Sequence, residues 1–337
     1  MSSHESSHRP SRQSGTAGSS DTAGRRPRSS RIVGGLFSLV LTLFTAFVLL
    51  DTFVIPHRYA TAAAATPTVA ASSASSSTPS TASPTAASFP STLTPESEPV
   101  SYTDATKAIT MATFRVDDTD VHVADVVLTD ASALRTAFAE NTYGRNVTAT
   151  TSDIATANGA VLAINGAFYG ARTTGYVVAN GQVYRDQASS ADQEDLVISA
   201  DGSFSIIREG YVTAADLVSQ GAVTVLSFGP GLVENGQSIV EAGDEVDKAM
   251  ASNPRTAIAQ IDTLHYLFVV ADGRTDQSAG LNLDQLADFL VSLGATTAYN
   301  LDGGGSSTMW FSGDIVNVPT TNGNRESERK VSDIVYL

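Results

Sequence analysis

The stretch HYLFVVADGRTDQSAGLNLDQLADFLVSLGATTAYNL, residues 265–301, decides the fold of this chain. It begins with an apolar β-type run, continues as a helical pattern and ends in a second β-type run. Asn282 and Gln285 stand in the positions of a capping box, and Gly294 ends the leucine pattern that follows. Strand, helix and strand within about 35 residues predict a βαβ crossover with one parallel pair of strands.

Short β-type runs dominate the sequence on either side of this stretch. Residues 175–184 predict a hairpin, because Asn180 and Gly181 supply the positive φ angles of a type I′ turn. The expected class is therefore α+β or mixed α/β. Its core would be a mixed β-sheet with hairpins and at least one βαβ crossover, preceded by a transmembrane helix and a disordered stalk.

The first hundred residues differ in composition from the rest. Residues 1–31 are rich in Ser, Arg and Gly, which predicts a disordered cytoplasmic tail. The uncharged apolar run at 32–50 follows four Arg and predicts a transmembrane signal anchor over 32–55, with a cleaved signal peptide as the alternative. Residues 56–100 predict a Ser/Thr/Pro/Ala-rich linker. Residues 101–337 would then form one extracytoplasmic domain of a single-pass membrane protein, or of a secreted protein if the anchor is cleaved.

The charge and the lack of cysteine exclude several function classes. The 337-residue chain has a formal net charge of −15, and residues 101–337 hold 13 Lys and Arg against 30 Asp and Glu. This balance disfavours nucleic acid as a partner, since binding a polyanion requires a basic surface. Without cysteine there are no disulfides, no zinc–thiolate sites and no thiol nucleophile.

The loop N-L-D-G-G-G-S-S-T, residues 300–308, follows the second strand of the predicted crossover. Asp302 would stand at the strand end, and the three glycines after it would let the backbone approach a ligand closely. The carboxyl ends of strands are where open α/β sheets place their ligands. The loop is therefore predicted to be a ligand site, the alternative being a plain glycine-rich turn.

Other polar residues stand at the ends of predicted strands. An asparagine there could bind a sugar hydroxyl or a phosphate oxygen, or simply form a turn. In so acidic a domain, arginines at strand ends favour an anion site, because guanidinium pairs bidentately with phosphate; a surface ion pair is the alternative. These residues are Asn165, Gly166, Arg255, Asp272, Arg274 and Arg329.

Taken in order, these motifs resemble the phosphodiester glycosidase domain family. That family's pattern is an N-G-G-F-F-like strand end, P-R-T-A-I-G, D-G-R, a helix, N-L-D-G-G-G-S-S-T and a late G-E-R-P-V-like element. The corresponding segments here are 165–169, 254–259, 272–274, 283–293, 300–308 and 328–331. Ala167, Ala259 and Lys330 depart from the pattern, but none of them replaces a charged group expected to do chemistry.

The resemblance implies a hydrolase that cleaves a sugar-1-phosphodiester bond in cell-envelope or exopolysaccharide glycans. Asp302 would act as base or nucleophile, and Arg255 and Arg274 would hold the phosphate. Asp272 would be the second carboxylate, the alternative being that it orients Arg274. The implied substrate-binding residues are Asn165, Gly166, Arg255, Gly303, Gly304, Gly305, Ser306 and Arg329. We expect no cofactor; the alternative is a divalent cation such as calcium near the phosphate, for which the sequence has no recognisable ligand set. A non-catalytic surface module that binds anionic polysaccharide is the alternative function.

Overall fold

The computed structural model describes residues 28–61, 84–241, 252–321 and 325–337. The chain divides into two units, one ending at Thr52 and the other beginning at Phe53. Residues 1–27 of the predicted tail and 62–83 of the predicted linker lie outside the described part of the chain. The predicted domain boundaries at 31, 55 and 100 stay predictions.

The helices are α1 (Arg28–Phe53), α2 (Thr151–Ala157), α3 (Ala214–Ser219) and α4 (Leu283–Ser292). The strands of the described residues are, in chain order, β1 (His57–Thr61), β2 (Val100–Thr103), β3 (Lys107–Val116), β4 (Thr119–Leu128), β5 (Arg135–Phe138), β6 (Thr142–Arg145), β7 (Leu162–Asn165), β8 (Val177–Ala179), β9 (Gln182–Arg185), β10 (Glu194–Ser199), β11 (Phe204–Arg208), β12 (Ala222–Leu226), β13 (Gly231–Glu234), β14 (Gln237–Ser238), β15 (Arg255–Asp262), β16 (His265–Ala271), β17 (Thr297–Asn300), β18 (Met309–Phe311), β19 (Asp314–Ile315), β20 (Thr320–Thr321), β21 (Arg325–Glu326) and β22 (Asp333–Tyr336).

Three large sheets form the body of the second unit. The eight-stranded sheet has the order β14-β13-β17-β15-β16-β4-β3-β2. The two five-stranded sheets have the orders β19-β18-β7-β22-β5 and β11-β10-β12-β8-β9. Two short pairs, β1-β6 and β20-β21, complete the sheets of the described residues.

The eight-stranded sheet is buried on both faces. Along β15, Ala257 and Ala259 pack in the same apolar cluster as Leu286 and Leu290 of α4. Ile258, between them in sequence, belongs to a second cluster shared with the two five-stranded sheets. Successive side chains of a strand point to opposite faces, so both faces of this sheet are apolar. This is why β15 and β16 read as nearly continuous apolar runs.

Helix α4 confirms the predicted helix and its capping box. The Asn282 side chain accepts from the Gln285 backbone N–H at 2.8 Å, and the Gln285 side chain accepts from the Asn282 N–H at 3.0 Å. Leu293 caps the C-terminus, and Gly294 follows with a φ of +90°. The glycine accepts this left-handed conformation without the penalty that a Cβ would impose.

The predicted fold class was wrong: it expected α+β or mixed α/β with a mixed sheet that contains a parallel pair of strands. The protein is mostly β-sheet, and every strand pair of the described residues is antiparallel. Strands β16 and β17, on either side of α4, do run in the same direction, but each pairs with β15, which lies between them. A strand–helix–strand pattern is compatible with two neighbouring parallel strands and with two parallel strands that have a third between them. Here the third strand is β15, which precedes β16 in the sequence.

The transmembrane helix of the predicted fold was also wrong. A helix, α1, does form over the apolar run at 32–50. Within the described residues, however, no helix has both the length and the apolar character that crossing a bilayer requires.

A buried pair of carboxyl groups lies in the sheet that contains β10. Asp195 and Glu209 are both fully buried. Glu209 accepts hydrogen bonds from the Tyr176 N–H at 2.8 Å and the Ser227 hydroxyl at 3.1 Å. Burial, reinforced by the negative charge of Glu209, raises the pKa of Asp195 to about 9. Asp195 therefore holds its proton at neutral pH in the folded state.

Asp195→Asn is expected to flatten the pH dependence of stability. Between its unfolded pKa near 4 and its folded pKa of about 9, wild-type Asp195 is protonated when folded and ionised when unfolded, so the free energy of unfolding falls as pH rises. The slope from this group is at most about 1.4 kcal/mol per pH unit. Urea unfolding at pH 6, 7.5 and 9 measures it, with exposed Asp262→Asn as the control. Equal slopes in wild type and Asp195→Asn would contradict the prediction.

Candidate functional site

The candidate site is the loop after β17, and it centres on Asp302. Gly304 begins a single 3-10 turn, Gly304–Ser306, with a φ of +61°. Its N–H donates to the Pro254 carbonyl at 2.8 Å. A Cβ on Gly303 would lie 2.9 Å from that same carbonyl oxygen. Both glycines are therefore required for the loop to lie against the start of β15.

Asp302, Ser306 and Arg329 form a hydrogen-bonded group, which we call the Asp302 site. The Ser306 hydroxyl donates to Asp302 Oδ2 at 2.6 Å. Arg329 Nη2 donates to Asp302 Oδ1 at 3.1 Å and Oδ2 at 2.9 Å, and Arg329 Nε donates to Ser306 Oγ at 2.8 Å. These bonds fix the orientation of the carboxylate and keep a cation beside it.

Burial and charge act in opposite directions on Asp302. Its side chain is 9% exposed and that of Arg329 is 40% exposed. Burial raises the pKa of the Asp302 carboxyl, while the Arg329 guanidinium, the Ser306 hydroxyl and the positive charge of Arg172 lower it. The ionised carboxylate thus depends on its arginine partner, whose half-exposed side chain connects the site with solvent.

Asn165, at the end of β7, is hydrogen-bonded to the backbone of the Asp302 loop. Its side-chain amide donates to the Asp302 carbonyl at 2.6 Å, and its side-chain oxygen accepts from the Thr256 hydroxyl at 2.8 Å and the Thr308 N–H at 3.2 Å. Asn165 is completely buried. It therefore joins one five-stranded sheet to the eight-stranded sheet at the point where Asp302 emerges.

A second carboxyl group, Asp333, lies close to this junction. It begins β22 and accepts from the Ala167 N–H at 3.1 Å. A Cβ on Gly166 would lie 2.5 Å from Asp333 Cγ, so only glycine fits between Asp333 and the Asp302 loop. Burial first, and then the charge of Asp302, raise the pKa of Asp333 to about 7 against the opposing effects of the Ala167 N–H and Arg185.

Arg274 lies against the glycine loop from the solvent side. It is exposed and has a φ of +61°. Its Nη2 donates to Asn253 Oδ1 at 3.0 Å and lies 3.0 Å from the position that a Cβ on Gly304 would take. A larger residue at 304 would displace this guanidinium.

Two aromatic side chains lie beside the arginines of the site. Phe168 has a φ of +57°, is 36% exposed and has its ring centre 5.8 Å from Arg329 Cζ. The Phe228 ring centre lies 5.2 Å from Arg172 Cζ. A left-handed backbone at a bulky residue is uncommon, and such outliers cluster at functional sites.

Comparison with known proteins places Asn165, the glycine loop and Arg329 in one family domain. A model of the phosphodiester glycosidase family matches residues 158–337, more than half of the chain. The chain belongs to the phosphodiester glycosidase family. The resemblance predicted from its motifs is thereby confirmed.

Relatives of this phosphodiester glycosidase domain include an enzyme and an uncharacterised protein. The N-acetylglucosamine-1-phosphodiester alpha-N-acetylglucosaminidase of Mus musculus is 29% identical over 189 residues, which are 51% of this chain and 36% of the mouse protein. The SPbeta prophage-derived uncharacterized protein YomE of Bacillus subtilis (strain 168) is 29% identical over 163 residues, 47% of this chain and 25% of that protein. The chain thus spans little more than a third of the first relative and a quarter of the second.

A solved structure shares the fold. The zebrafish N-acetylglucosamine-1-phosphodiester alpha-N-acetylglucosaminidase catalytic domain, auto-inhibited by its pro-peptide, superposes with a TM-score of 0.56 at 18% identity. The match covers 72% of this chain and 84% of the zebrafish chain.

The phosphodiester glycosidase domain brings most of the predicted site residues together. The glycine loop, Asp302, Ser306 and Arg329 are in direct contact, and Arg274 lies against Gly304. Arg255 lies behind the loop instead: it is buried, and its Nε donates to the Leu281 carbonyl at 2.8 Å. Asn165 and Gly166 contact the backbone of the loop: the Asn165 side chain donates to the Asp302 carbonyl, and the Gly166 carbonyl accepts from the Asp302 N–H.

Asp272 lies in a different set of contacts. Its Oδ2 is 3.1 Å from His122 Nε2, and its Oδ1 accepts from Asn317 Nδ2 at 3.2 Å and the Val318 N–H at 2.9 Å. It is 3% exposed. These contacts tie β16 to β4 and to the segment after β19, so Asp272 has the surroundings of a structural carboxylate.

Asp272→Ala is expected to reduce stability more than catalysis. The change leaves the buried side chain of Asn317 and the Val318 N–H without their acceptor, which costs about 3 kcal/mol of unfolding free energy. Urea unfolding measures this loss, and kcat at a temperature where the variant is folded measures catalysis. Asp276→Ala, exposed in the same loop, is the control. Unchanged stability together with a thousandfold lower kcat would make Asp272 part of the reacting pair.

Sequence reasoning missed Asp333, Arg172, Phe168 and Phe228. Asp333 had one visible signal, a carboxylate within the apolar run VSDIVYL at 331–337. Phe168 lies within the motif at 165–169, but its exposure and left-handed backbone are not visible in the sequence. Arg172 and Phe228 are 56 residues apart and show no local pattern.

Proposed function

We propose that this domain hydrolyses the bond between the anomeric carbon of a sugar and a phosphodiester. The observation that supports this most directly is the buried Asp302 carboxylate paired with Arg329 at the rim of a loop flanked by Arg274. A glycosyl phosphate already has a good leaving group, so the site needs one carboxylate at the anomeric carbon and cations on the phosphate. The name of the mouse relative makes N-acetylglucosamine the first sugar to test.

In this proposal each residue has one task. Asp302 drives the attack at the anomeric carbon, either by taking a proton from water or by attacking the carbon itself. Arg274 and Arg329 stabilise the charge that develops on the departing phosphate. Asn165 positions Asp302 through its backbone carbonyl, in place of the sugar contact expected from the sequence. Asp333 is a positioning residue, because it accepts from the N–H groups of Gly166 and Ala167, and the Gly166 carbonyl in turn accepts from the Asp302 N–H.

The reaction proposed here uses no metal ion, because guanidinium groups supply the positive charge at the phosphate. We further propose that the domain acts outside the cytoplasm, on envelope or exopolysaccharide glycans. The Ser/Thr/Pro/Ala-rich segment at 56–100 supports this location, since a low-complexity stretch of this composition serves as an extended spacer. Cell fractionation with an antibody to the acidic domain tests the location. A hydrolysis rate that EDTA leaves unchanged is the result expected of a reaction without a metal ion.

A direct assay tests the activity. The full chain is incubated with UDP-N-acetylglucosamine and with a methyl N-acetylglucosamine-1-phosphodiester, and released sugar is followed by proton NMR. We expect free N-acetylglucosamine, and the first anomer to appear decides between water attack, which inverts, and a covalent intermediate, which retains. Binding of a phosphoglycan without any turnover would instead support a non-catalytic polysaccharide-binding module.

A further inference from the structure

A pocket of about 240 Å³ has Tyr169 in its lining, the residue that follows Phe168, whose ring lies against Arg329 of the Asp302 site. Its lining includes three arginines and three tyrosines, namely Arg145, Arg172, Arg185, Tyr59, Tyr143 and Tyr169. We call it the arginine–tyrosine pocket. It is smaller than the roughly 300–1,000 Å³ of sites for drug-sized ligands, which suits a single saccharide residue.

The charge of this pocket is opposite to that of the domain around it. Residues 101–337 hold 30 Asp and Glu against 13 Lys and Arg, yet no Asp or Glu of the described residues lines the pocket. Arg172 contacts the Phe228 ring and forms no ion pair with a carboxylate of the described residues. Clefts lined by charge of one sign attract ligands of the other sign.

Arg185 is fixed in place before any ligand arrives. Its Nε donates to the Gly175 carbonyl at 2.5 Å, and its Nη1 donates to the carbonyls of Tyr169 at 3.1 Å and Arg172 at 2.8 Å. The second terminal nitrogen, Nη2, takes no part in these bonds. A guanidinium that is held in this way loses little conformational entropy when it binds an anion.

The tyrosines give the pocket an aromatic wall. The rings of Tyr143 and Tyr169 stack with centroids 5.3 Å apart and an angle of 17° between planes. The Tyr59 ring also contacts Tyr143, with centroids 5.8 Å apart and an angle of 46° between planes. Rings with an apolar face and a polar edge suit a sugar, which has apolar C–H faces and polar hydroxyls.

The consecutive residues Phe168 and Tyr169 connect the pocket with the Asp302 site. Tyr169 lines the pocket, and the Phe168 ring centre lies 5.8 Å from Cζ of Arg329, the partner of Asp302. The alcohol substituent of a phosphodiester bound at Arg329 can therefore extend along this segment toward the pocket.

We propose that the arginine–tyrosine pocket is the subsite for the saccharide on the alcohol side of the phosphodiester, and that it selects a residue with a negative charge. The ligand class is an anionic sugar, either a uronate or a phosphorylated hexose. This proposal rests on the proposed hydrolysis and adds to it the identity of the group beyond the phosphate.

Calorimetry on the full chain at low ionic strength tests the subsite. The probes are methyl β-D-glucuronide, glucose 6-phosphate and the neutral methyl β-D-glucoside. We expect at least one anionic probe to bind about tenfold more tightly than the neutral one, as charge-assisted hydrogen bonds do. A preference for the glucuronide alone identifies a uronate, and one for the phosphate alone identifies a phosphorylated sugar. Equal affinity for all three probes overturns the proposal.

Two glutamine variants locate the binding. Gln187 also lines the pocket and is exposed, whereas Gln182 is exposed outside the lining. Gln187→Glu and Gln182→Glu change the net charge equally. We expect Gln187→Glu to remove the tenfold preference and Gln182→Glu to keep most of it. The same loss in both variants would mean a general charge effect and would overturn the subsite.

The sugar-release assay and the titrations, both performed on the wild-type chain, separate this proposal from the proposed hydrolysis. An anion preference in wild-type protein that releases no sugar from any phosphodiester rejects the hydrolysis and leaves the pocket as an anionic-sugar site. Hydrolysis without any anion preference rejects the subsite alone.

Discussion

Asp302→Asn is expected to lower kcat for sugar-1-phosphodiester hydrolysis about 10³–10⁴-fold while the protein stays folded. The amide has nearly the same shape as the carboxylate, but it can neither take a proton from water nor form a bond to the anomeric carbon. It still accepts from Ser306 or Arg329, so the loop keeps part of its hydrogen bonding. The KM should change little, since the arginines that face the phosphate remain.

Initial rates and thermal unfolding measured on the same preparations test this result. Asp314→Asn, an exposed aspartate on β19, is the matched control and is expected to keep full activity. If Asp302→Asn retains more than a tenth of the wild-type kcat, another group performs the attack. In that case the buried carboxylate has only a structural role.

Arg329→Lys is expected to lower kcat/KM about 10²-fold and to move the acid limb of the pH profile to higher pH. A lysine ammonium cannot reproduce the fork that joins Asp302 and Ser306. Burial raises the pKa of Asp302 and Arg329 is the first of the groups that lower it. Weakening that pair raises the pKa further, so a smaller fraction of Asp302 is ionised at any given pH.

The pH profile separates this electrostatic role from a merely structural one. We expect the loss in Arg329→Lys to be larger at pH 5.5 than at pH 8.5, because higher pH restores the ionised Asp302. Arg208→Lys, which alters an exposed arginine paired with Glu194, should keep the wild-type profile. A loss of equal size at every pH would show that Arg329 does not control the ionisation of Asp302 and acts on the phosphate alone.

The parts of the site that were predictable have local causes. The loop at 300–308 was predictable because three consecutive glycines next to a carboxylate leave the backbone free to approach a neighbour closely. A Cβ on Gly303 would lie 2.9 Å from a backbone oxygen, and Gly304 has a φ of +61°, which favours glycine. The cap of α4 was predictable because a capping box involves residues only three positions apart. In both cases the interactions that specify the structure lie within a few residues.

The wrong or missing parts depend on distant contacts. Strand β15 lies between β16 and β17 and pairs with both of them. No local sequence pattern shows which strands pair with which. Asp272 and Asp333 each look like a carboxylate at a strand end. Their different surroundings come from His122, 150 residues away from the first, and from Ala167, 166 residues away from the second.

By itself the sequence determined the family, the acidic character of the domain, the position of α4 and the loop that bears Asp302. Each of these follows from composition or from residues close together in the chain, where local conformational preferences act. Only the tertiary structure decided that Arg329 is the partner of Asp302, that Arg255 lies behind the loop, and that three arginines share one pocket with three tyrosines. Those arrangements arise when separate sheets pack together, and packing brings together side chains whose distance along the chain has no relation to their distance in space.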